Sequence, residues 1–193
     1  MNKFVLANAE VLEEDSFSFY PNYFSEFVDL VRELEDLSFI QNEIKMFGKM
    51  ILEPRQIIFQ GDSDISYKYS GKILNAKDWT PFVLKLNKKI DSDFSFPTNS
   101  CLINRYRDGE DYMGWHKDNE KELGDSPYVA SYSLGSSRDF LFKNENASYK
   151  IELPNNSLFL MKPNFQSNFK HMLPKRKRVK NERYNLSYRK VNT

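Results

Sequence analysis

Hydrophobic residues recur with two different periods along the chain, and the change between them divides the predicted elements. Between Phe24 and Leu37 apolar residues return at helical spacing with acidic residues between them, which predicts an amphipathic helix. A second helix is predicted from Pro81 to Ile90, with the proline in its first turn. From about residue 100 the pattern changes to short apolar or alternating runs separated by turn-forming residues, which is typical of strands. These runs cover 100–106, 127–134, 139–143, 147–153, 157–162 and 184–189.

Short strands that follow helices indicate an α+β fold, in which N-terminal helices buttress a β-sandwich or jelly-roll core. A chain of 193 residues fits one domain with its own hydrophobic core. We therefore predict a single domain over residues 1–193. Within it, residues 1–95 form an N-terminal extension with helices and hairpins, and residues 96–193 form the β core.

The net charge of +1 hides an asymmetry, because the N-terminal third is acidic and the C-terminal end is basic. A local basic stripe can bind phosphate even when the whole chain is near neutral. The single cysteine excludes an internal disulfide, which favours a reducing compartment. No apolar run approaches the roughly 18 residues of a membrane span, and the N-terminus lacks a signal-peptide pattern. We expect a soluble intracellular monomer without membrane contact, nuclear in a eukaryote and cytoplasmic in a bacterium.

Both histidines of the chain fall in one metal-binding pattern, His116-Lys117-Asp118 followed by His171. Alternate residues face the same side of a strand, so His116 and Asp118 could both point at one ion. His171 would reach the ion from a distant strand. Two imidazoles and one carboxylate form a facial triad that suits Fe(II) and leaves positions open for a co-substrate and oxygen. The alternative is a surface histidine beside a carboxylate, since His-x-Asp often occurs by chance.

Polar residues alternate along the last predicted strand and share one of its faces. They are Arg183, Asn185, Ser187 and Arg189. Two arginines on a buried face are costly unless each meets an anion. A dicarboxylic acid that chelates iron at one end would leave its other carboxylate for a guanidinium group, with Asn185 and Ser187 as hydrogen-bond donors. The pattern therefore indicates a non-haem iron oxygenase, and the alternative is a solvated basic face.

At these residues the chain resembles the AlkB family of Fe(II)- and 2-oxoglutarate-dependent dioxygenases, above all the branch that repairs N-alkylated bases in double-stranded DNA. The similarity runs from about Phe47 to Val191. The motifs that carry it are Asn104-Arg105-Tyr106-x-Asp108-Gly109, His116-x-Asp118-x-Glu120, Arg138-Asp139-Phe140, His171-x-Leu173-Pro174 and Arg183-x-Asn185-x-Ser187-x-Arg189. The resemblance implies a double-stranded β-helix as the catalytic core and nucleotide-recognition hairpins in the N-terminal extension.

The resemblance also implies a role for each residue of the site. The iron ligands, which are the catalytic residues, would be His116, Asp118 and His171. Arg189 would pair with the far carboxylate of 2-oxoglutarate, in a pocket completed by Asn104, Tyr106, Arg183 and Asn185. With O2 as the second co-substrate, the implied reaction hydroxylates the alkyl group on a base and releases it as an aldehyde.

The same branch implies how DNA is held. Base-modifying enzymes flip the target base out of the stack, and the alternating rings of Tyr67 and Tyr69 could stack on it while Glu120 contacts its edge. Ordinary core packing is the alternative for the tyrosines. In the predicted hairpin Met46-Phe47-Gly48-Lys49, the Phe47 ring could fill the gap in the stack. The alternative for Phe47 is a buried hairpin residue.

Basic residues complete the implied DNA surface. Arg55 matches a position beside the DNA, and Arg176-Lys177-Arg178 resembles a loop that grips the duplex backbone. The alternative for this run is a solvated group of charges. Two positions depart from the family pattern: Trp115 is bulky where a polar residue is expected, and Asn119 replaces an acid.

The function implied is oxidative dealkylation of 1-methyladenine and 3-methylcytosine in DNA, including duplex DNA. Three alternatives remain at this point. The chain could demethylate RNA, or it could hydroxylate a protein or a small molecule. It could also be a non-catalytic nucleic-acid-binding module whose iron site has decayed.

Overall fold

The computed structural model describes residues 2–5, 11–46, 48–69 and 72–192, and residues 2–5, 44–46, 68 and 69 are described by their backbone alone. The helices in these ranges are α1 (Phe27–Glu35), α2 (Pro81–Phe94) and α3 (Phe165–Asn168). The strands are β1 (Asn2–Val5), β2 (Leu12–Glu13), β3 (Phe17–Pro21), β4 (Glu43–Met46), β5 (Lys49–Leu52), β6 (Gln56–Gly61), β7 (Ser66–Tyr69), β8 (Lys72–Asn75), β9 (Ser100–Tyr106), β10 (Met113–His116), β11 (Val129–Gly135), β12 (Arg138–Lys143), β13 (Ala147–Leu153), β14 (Ser157–Met161), β15 (Lys170–Leu173) and β16 (Arg183–Arg189).

Two sheets form the core of the fold. A seven-stranded antiparallel sheet has the order β2-β3-β14-β11-β16-β9-β6, and a five-stranded sheet has the order β1-β13-β12-β15-β10. In the second sheet only β1 pairs in parallel with its neighbour among the described strands. Two hairpins, β4–β5 and β7–β8, stand apart from both sheets.

Aromatic side chains pack between the two sheets. The Phe17 ring on β3 lies 5.2 Å from that of Phe142 on β12, and the Phe140 ring lies 5.1 Å from that of Phe159 on β14. These residues belong to one buried cluster. The arrangement confirms the predicted α+β jelly roll, because burial of one face of each sheet against the other produces a two-layer β core.

The helices cover the other face of the seven-stranded sheet. Leu30 and Leu34 of α1 and Val83, Leu86 and Ile90 of α2 pack in one buried cluster with residues of the central strands. A carboxylate links the two helices, because Glu33 accepts hydrogen bonds from Thr80 Oγ1 (2.6 Å) and from the backbone N–H of Phe82 (2.9 Å). It thereby satisfies N–H groups at the start of α2 that have no partner within the helix.

The helices differ in length from the sequence prediction. The first begins at Phe27 rather than Phe24, where the backbone N–H of Leu30 donates to the carbonyl oxygen of Glu26 (3.2 Å), and the N–H of Phe24 donates to Asn156 Oδ1 (2.9 Å). The second continues to Phe94 and ends at Ser95, which has a left-handed backbone with φ of 50°. No described helix has both the length and the apolar character needed to cross a membrane.

Strands from the first 95 residues are part of the sheets. β3 pairs with β14, and β6 pairs with β9, at opposite sides of the seven-stranded sheet. The pattern of apolar runs predicted neither strand and gave no bounds for β10 and β15, although His116 and His171 were expected on strands and lie on these two. The predicted division near residue 95 therefore does not coincide with a boundary between sheets.

Candidate active site

The two histidines and Asp118 come together at one edge of the five-stranded sheet. β10 and β15 are paired so that His116 lies opposite His171, with ring centroids 4.1 Å apart. His116 Nε2 lies 3.8 Å from Asp118 Oδ1, and His171 Nε2 lies 3.8 Å from Asp118 Oδ2. The ligand atoms of the three residues lie within 4.8 Å of one another. Such a set of two imidazole nitrogens and a carboxylate could hold Fe(II).

The protonation of the histidines fits a metal site. His116 Nδ1 lies 2.9 Å from the carbonyl oxygen of Gly114, and donation to that oxygen leaves the Nε2 lone pair facing Asp118. His171 is buried, and its Nδ1 has no hydrogen-bond partner among the described residues. Burial lowers the pKa of His171 to about 3, with a smaller contribution from His116. The neutral imidazole, which is the form that binds metals, is therefore favoured.

Asp118 is held as a carboxylate despite being 3% exposed. Burial by itself would raise its pKa, but the positive charge of Arg189 and the hydrogen bond that Arg189 donates outweigh this effect, so that the pKa is lowered. The backbone N–H of Asp118 donates to Gln166 Oε1 (2.9 Å), which fixes the position of the residue. Sequence reasoning missed Gln166, because a contact with a residue of α3 leaves no local signal.

A cavity between the sheets begins at the triad. Its walls include Asn104 and Tyr106 of β9 and the alternating residues Arg183, Asn185, Ser187 and Arg189 of β16. The side chains between these four, Tyr184, Leu186 and Tyr188, pack in the cluster beneath the helices. The alternation of β16 therefore divides an apolar face from a polar face, and the polar face lines the cavity.

Arg183 is a buried cation at this cavity. Its side chain is 2% exposed, donates from Nη2 to Ser133 Oγ (2.8 Å) and lies 5.3 Å from the Tyr106 ring centroid. Its Nε is buried without a hydrogen-bond partner among the described residues. Burial lowers the pKa of Arg183 to about 10, which still leaves it charged at neutral pH. A buried guanidinium with a free donor fits an anionic group in the cavity.

Arg189, unlike Arg183, lies beside the His116–Asp118–His171 triad. It donates from Nη2 to Asp118 Oδ1 (3.0 Å) and from Nη1 to the Tyr67 hydroxyl (3.0 Å). The resemblance gave Arg189 the far carboxylate of 2-oxoglutarate, but its guanidinium contacts a candidate metal ligand. Of the two arginines, Arg183 is the one whose surroundings match that role, because it lies at the other end of β16 and has an unused donor.

Hydrogen bonds hold three further polar residues of the cavity wall, Asn104, Asn185 and Ser187. Asn185 Nδ2 donates to Ser131 Oγ (2.8 Å), and Ser187 Oγ donates to Asn185 Oδ1 (3.2 Å). Asn104 Oδ1 accepts a hydrogen bond from Arg55 Nε (3.0 Å). These bonds fix the orientation of the three side chains on the cavity wall.

Arg55 was predicted to lie beside DNA, and its location corrects that prediction. The side chain is 3% exposed and forms an ion pair with Glu53 (3.1 Å) in addition to its bond with Asn104. A buried guanidinium held by a carboxylate and an amide does not reach a phosphate at the surface. Arg55 instead supports a residue of the cavity wall.

The predicted base pocket is only partly described. Tyr67 is 2% exposed and packs against Phe59, with ring centroids 5.0 Å apart, so that core packing accounts for its ring. The side chain of Tyr69, like Phe47, lies outside the described residues. Glu120 Oε2 is buried with no hydrogen-bond partner among the described residues, and burial raises the pKa of Glu120. A polar group is therefore present beside the triad with an unused hydrogen-bonding atom.

The basic loop after β15 is anchored to the protein at its start. Arg176 forms an ion pair with Asp139, and its backbone N–H donates to the carbonyl oxygen of Gly109 (2.7 Å). Lys177 and Arg178 are exposed, as are Gly48 and Lys49 at the β4–β5 turn. The loop therefore presents two cations to solvent, while the third is bound to a carboxylate.

Arg138 joins the segments around the site, a role that the sequence motif did not reveal. It is fully buried and donates to the carbonyl oxygens of Asp108 (3.1 Å), Asp111 (2.9 Å) and Pro174 (2.6 Å). It thus ties the segment before β10 to the segment after β15, and these strands carry the two histidines.

The chain is similar to known proteins both in sequence and in fold. Residues 17–189 match the model of the 2OG-Fe(II) oxygenase superfamily. The chain is 33% identical over 175 residues to DNA oxidative demethylase ALKBH2 of Mus musculus, which covers 86% of this chain and 73% of that protein. It is 32% identical over 151 residues to alpha-ketoglutarate-dependent dioxygenase alkB homolog 3 of Mus musculus, covering 72% of this chain and 52% of that protein. In fold it is similar to an oxidoreductase of the 2OG-Fe(II) oxygenase family from Burkholderia pseudomallei, with a TM-score of 0.66, 13% identity and coverage of 98% and 95%.

Proposed function

Because this chain belongs to the AlkB family of the 2OG-Fe(II) oxygenase superfamily, we propose that it removes alkyl groups from the bases of DNA by oxidation. One observation carries the proposal: a single buried cavity has the His-Asp-His set at one end and a cation with an unused donor at the other. The similar protein that is named a DNA oxidative demethylase supports DNA as the substrate.

The enzyme is a dioxygenase that uses Fe(II), 2-oxoglutarate and O2. When bound, these supply the oxidation that hydroxylates an alkyl carbon on a base nitrogen, after which the group leaves as an aldehyde. His116, Asp118 and His171 would hold the iron, and the donor set and the neutral state of His171 support this assignment. The chain supplies the binding and orientation of the substrate.

2-Oxoglutarate would lie along the polar face of β16. Its far carboxylate would pair with Arg183, whose burial and unused Nε support that role. Arg189 would hold Asp118 in place and contact the end that chelates the metal. Asn104, Tyr106, Asn185 and Ser187, which line the same cavity, would position the rest of the molecule.

The alkylated base would enter beside the triad. Glu120, with its buried unused oxygen, is the residue we assign to the base edge. Tyr67 would lie beneath the base and hold Arg189 in position through its hydroxyl group. The ring of Tyr69 would stack on the base. We propose 1-methyladenine and 3-methylcytosine as the lesions.

Duplex binding would use cations and a wedge outside the cavity. Lys177 and Arg178, which are exposed, would contact backbone phosphates together with Lys49 at the turn beside Gly48. Phe47 would fill the gap that the flipped base leaves. A monomeric state and a nuclear or cytoplasmic location remain predictions.

The decisive experiment supplies a duplex oligonucleotide that carries one 1-methyladenine, together with Fe(II), ascorbate and 2-oxoglutarate. We expect the strand to lose the mass of one methylene only when 2-oxoglutarate is present, and not with the His171→Ala variant. Turnover of 2-oxoglutarate without loss of the methyl group from duplex or single-stranded DNA would contradict the DNA assignment. It would direct the search to RNA or protein substrates.

The duplex surface is tested separately by the Lys177→Ala/Arg178→Ala variant. We expect its activity on duplex DNA to fall more than its activity on a single strand, because a duplex offers phosphates of both strands. Lys85→Ala/Lys88→Ala on α2, which also removes two exposed positive charges, serves as the control for a change of surface charge. An unchanged ratio of the two activities would contradict the assignment of this loop.

A further inference from the structure

A basic concave surface lies on the outer side of the five-stranded sheet. We call it the lysine groove and define it by Lys117, Lys143 and Lys170, which line one surface cavity. Lys143 and Lys170 are paired opposite each other on β12 and β15, and Lys117 Nζ donates to the carbonyl oxygen of Ser167 (2.9 Å). Glu145 also lines this cavity, so the three lysines leave its charge positive.

Two lysines of the groove are next to candidate metal ligands in the sequence. Lys170 directly precedes His171, and Lys117 directly follows His116. Because neighbouring residues of a strand face opposite sides, the buried His171 faces the cavity while the exposed Lys170 faces outward. The groove therefore lies at the same sheet edge as the triad, on the opposite face.

An exposed indole ring extends this surface. Trp115 is 39% exposed, and Lys143 Nζ lies 4.3 Å from its ring centroid. Trp115 is not one of the candidate metal ligands and does not line the cavity, so neither accounts for an exposed indole ring at this position. Aromatic rings that stand beside cations bind unpaired nucleotides, because the ring stacks on a base while the cations contact the phosphates.

A neutral part of the sheet separates the groove from the basic loop. Asp139 and Lys143 lie on the same outward face of β12, and Asp139 is paired opposite Glu152 on β13. Asp139 contacts Lys150 Nζ (3.3 Å) and is the partner of Arg176, so the two carboxylates offset these two cations. The lysine groove is therefore a basic surface distinct from the exposed Lys177 and Arg178.

We propose that the lysine groove and Trp115 bind a single-stranded segment of the nucleic acid next to the target base. Single-stranded rather than duplex nucleic acid fits Trp115, because bases in a duplex are already stacked on their neighbours and do not offer a free face. The choice of a nucleic acid over an acidic peptide rests on the proposed function. The lysine groove and Trp115 would thus contact the nucleic-acid strand outside the base pocket.

The test measures binding of a fluorescent oligo(dT) strand without a lesion, by anisotropy, at several salt concentrations. The metal-loaded protein is kept free of oxygen so that no turnover occurs. Three variants are compared with the unaltered protein: Lys117→Ala/Lys143→Ala/Lys170→Ala, Trp115→Ala, and a matched triple variant of α2, Lys85→Ala/Lys88→Ala/Lys89→Ala.

We expect the groove variant to reduce the slope of log Kd against log salt by about two, because each phosphate contact in a single strand contributes roughly 0.7. Trp115→Ala should weaken binding about 5- to 100-fold with an unchanged slope, since stacking releases no counterions. The α2 variant removes the same number of charges and should leave both quantities unchanged.

The outcomes separate this inference from the proposed function. If the unaltered protein demethylates DNA but the groove variant keeps the full salt slope, the inference is wrong and the function stands. Equal losses in the groove and α2 variants would also overturn it, because net charge would then explain the effect. If a poly-glutamate peptide bound with the same lysine dependence and oligo(dT) did not, the surface would be a peptide site. If the protein bound neither DNA strand nor lesion, both proposals would fail.

Discussion

Arg183 and Arg189 lie on the same face of one strand and have different surroundings. Arg189 donates to Asp118, whereas Arg183 donates to a serine hydroxyl and keeps Nε unused among the described residues. A guanidinium that already bonds a metal ligand is poorly placed to take the far carboxylate of a co-substrate. The environment of each arginine therefore decides its role, although the residue type is the same.

Replacing Arg183 with Met should raise the KM for 2-oxoglutarate about 10- to 100-fold, because a hydrogen bond to a charged group is lost. Iron affinity should change little, since Arg183 makes no contact with the triad among the contacts described. Consumption of 2-oxoglutarate and titration with Fe(II) give the two quantities.

Arg189→Met provides the comparison, because it removes the bond to Asp118 and should weaken iron binding. If Arg183→Met lost iron to the same extent as Arg189→Met, the separation of the two roles would be wrong.

His171 should make the metal-free protein less stable at low pH. Its pKa is lowered in the folded state, from 6.5 to about 3, so between these values the unfolded chain binds the proton more tightly. Stability from this group is therefore complete above pH 6.5 and is lost as the pH falls toward 3, by at most about 1.4 kcal/mol per pH unit. Urea unfolding of the metal-free protein from pH 7.5 to 4.5 measures the slope.

The His171→Gln variant removes the titrating group and keeps a polar side chain. We expect a shallower loss of stability than in the unaltered protein over pH 6.5 to 4.5. Two parallel curves would show that other groups, such as Asp118, account for the pH dependence.

Strands and turns bring the site residues into position through close contacts between elements. β16 separates an apolar face under the helices from a polar face on the cavity, so that one strand contributes to both core and site. The basic loop depends on the turn at Gly109, whose backbone N–H donates to the carbonyl oxygen of Val179 (2.9 Å). A Cβ atom at Gly109 would lie 1.7 Å from the carbonyl oxygen of Arg176.

Gly109→Ala should therefore displace the basic loop. We expect weaker binding of duplex DNA and a loss of stability of about 1–3 kcal/mol, because overpacking a close contact costs roughly this amount. Binding by anisotropy and unfolding by urea measure the two effects. Gly114→Ala is a suitable control, since a Cβ atom there would meet no atom within 4 Å. Equal behaviour of the two variants would contradict the close approach.

At the scale of the whole molecule, the N-terminal and C-terminal parts of the chain form one hydrogen-bonded structure. β3 and β6 lie on opposite sides of the central strands of the seven-stranded sheet, and the helices α1 and α2 cover its outer face. Removing residues 1–95 would expose unpaired edges at β14 and β9 together with the apolar face of β16.

We expect a fragment of residues 96–193 to lack a cooperative unfolding transition, because it loses a large part of its buried apolar surface. The full chain should unfold in one transition, and calorimetry of both distinguishes the cases. A sharp transition in the fragment would mean that the predicted division near residue 95 marks an independent core.

The sequence by itself determined the class of the fold, most of the strands from residue 100 onward and the residue types of the metal set. These features are local: alternation sets which residues share a face, and the two histidines of the chain leave few ways to build an imidazole site. The resemblance added the family, which the comparisons confirmed.

Only the tertiary structure decided which partner each polar residue meets. His116 is paired with His171, and Arg189 contacts Asp118, although these residues are distant in sequence. The burial of Arg55 and Tyr67 likewise depends on segments that are distant in sequence. Periodicity shows which side of an element is buried but not which element covers it, since that depends on how strands pair across long loops. For this reason the roles of the two arginines and the site of the lysine groove followed from strand register rather than from motif.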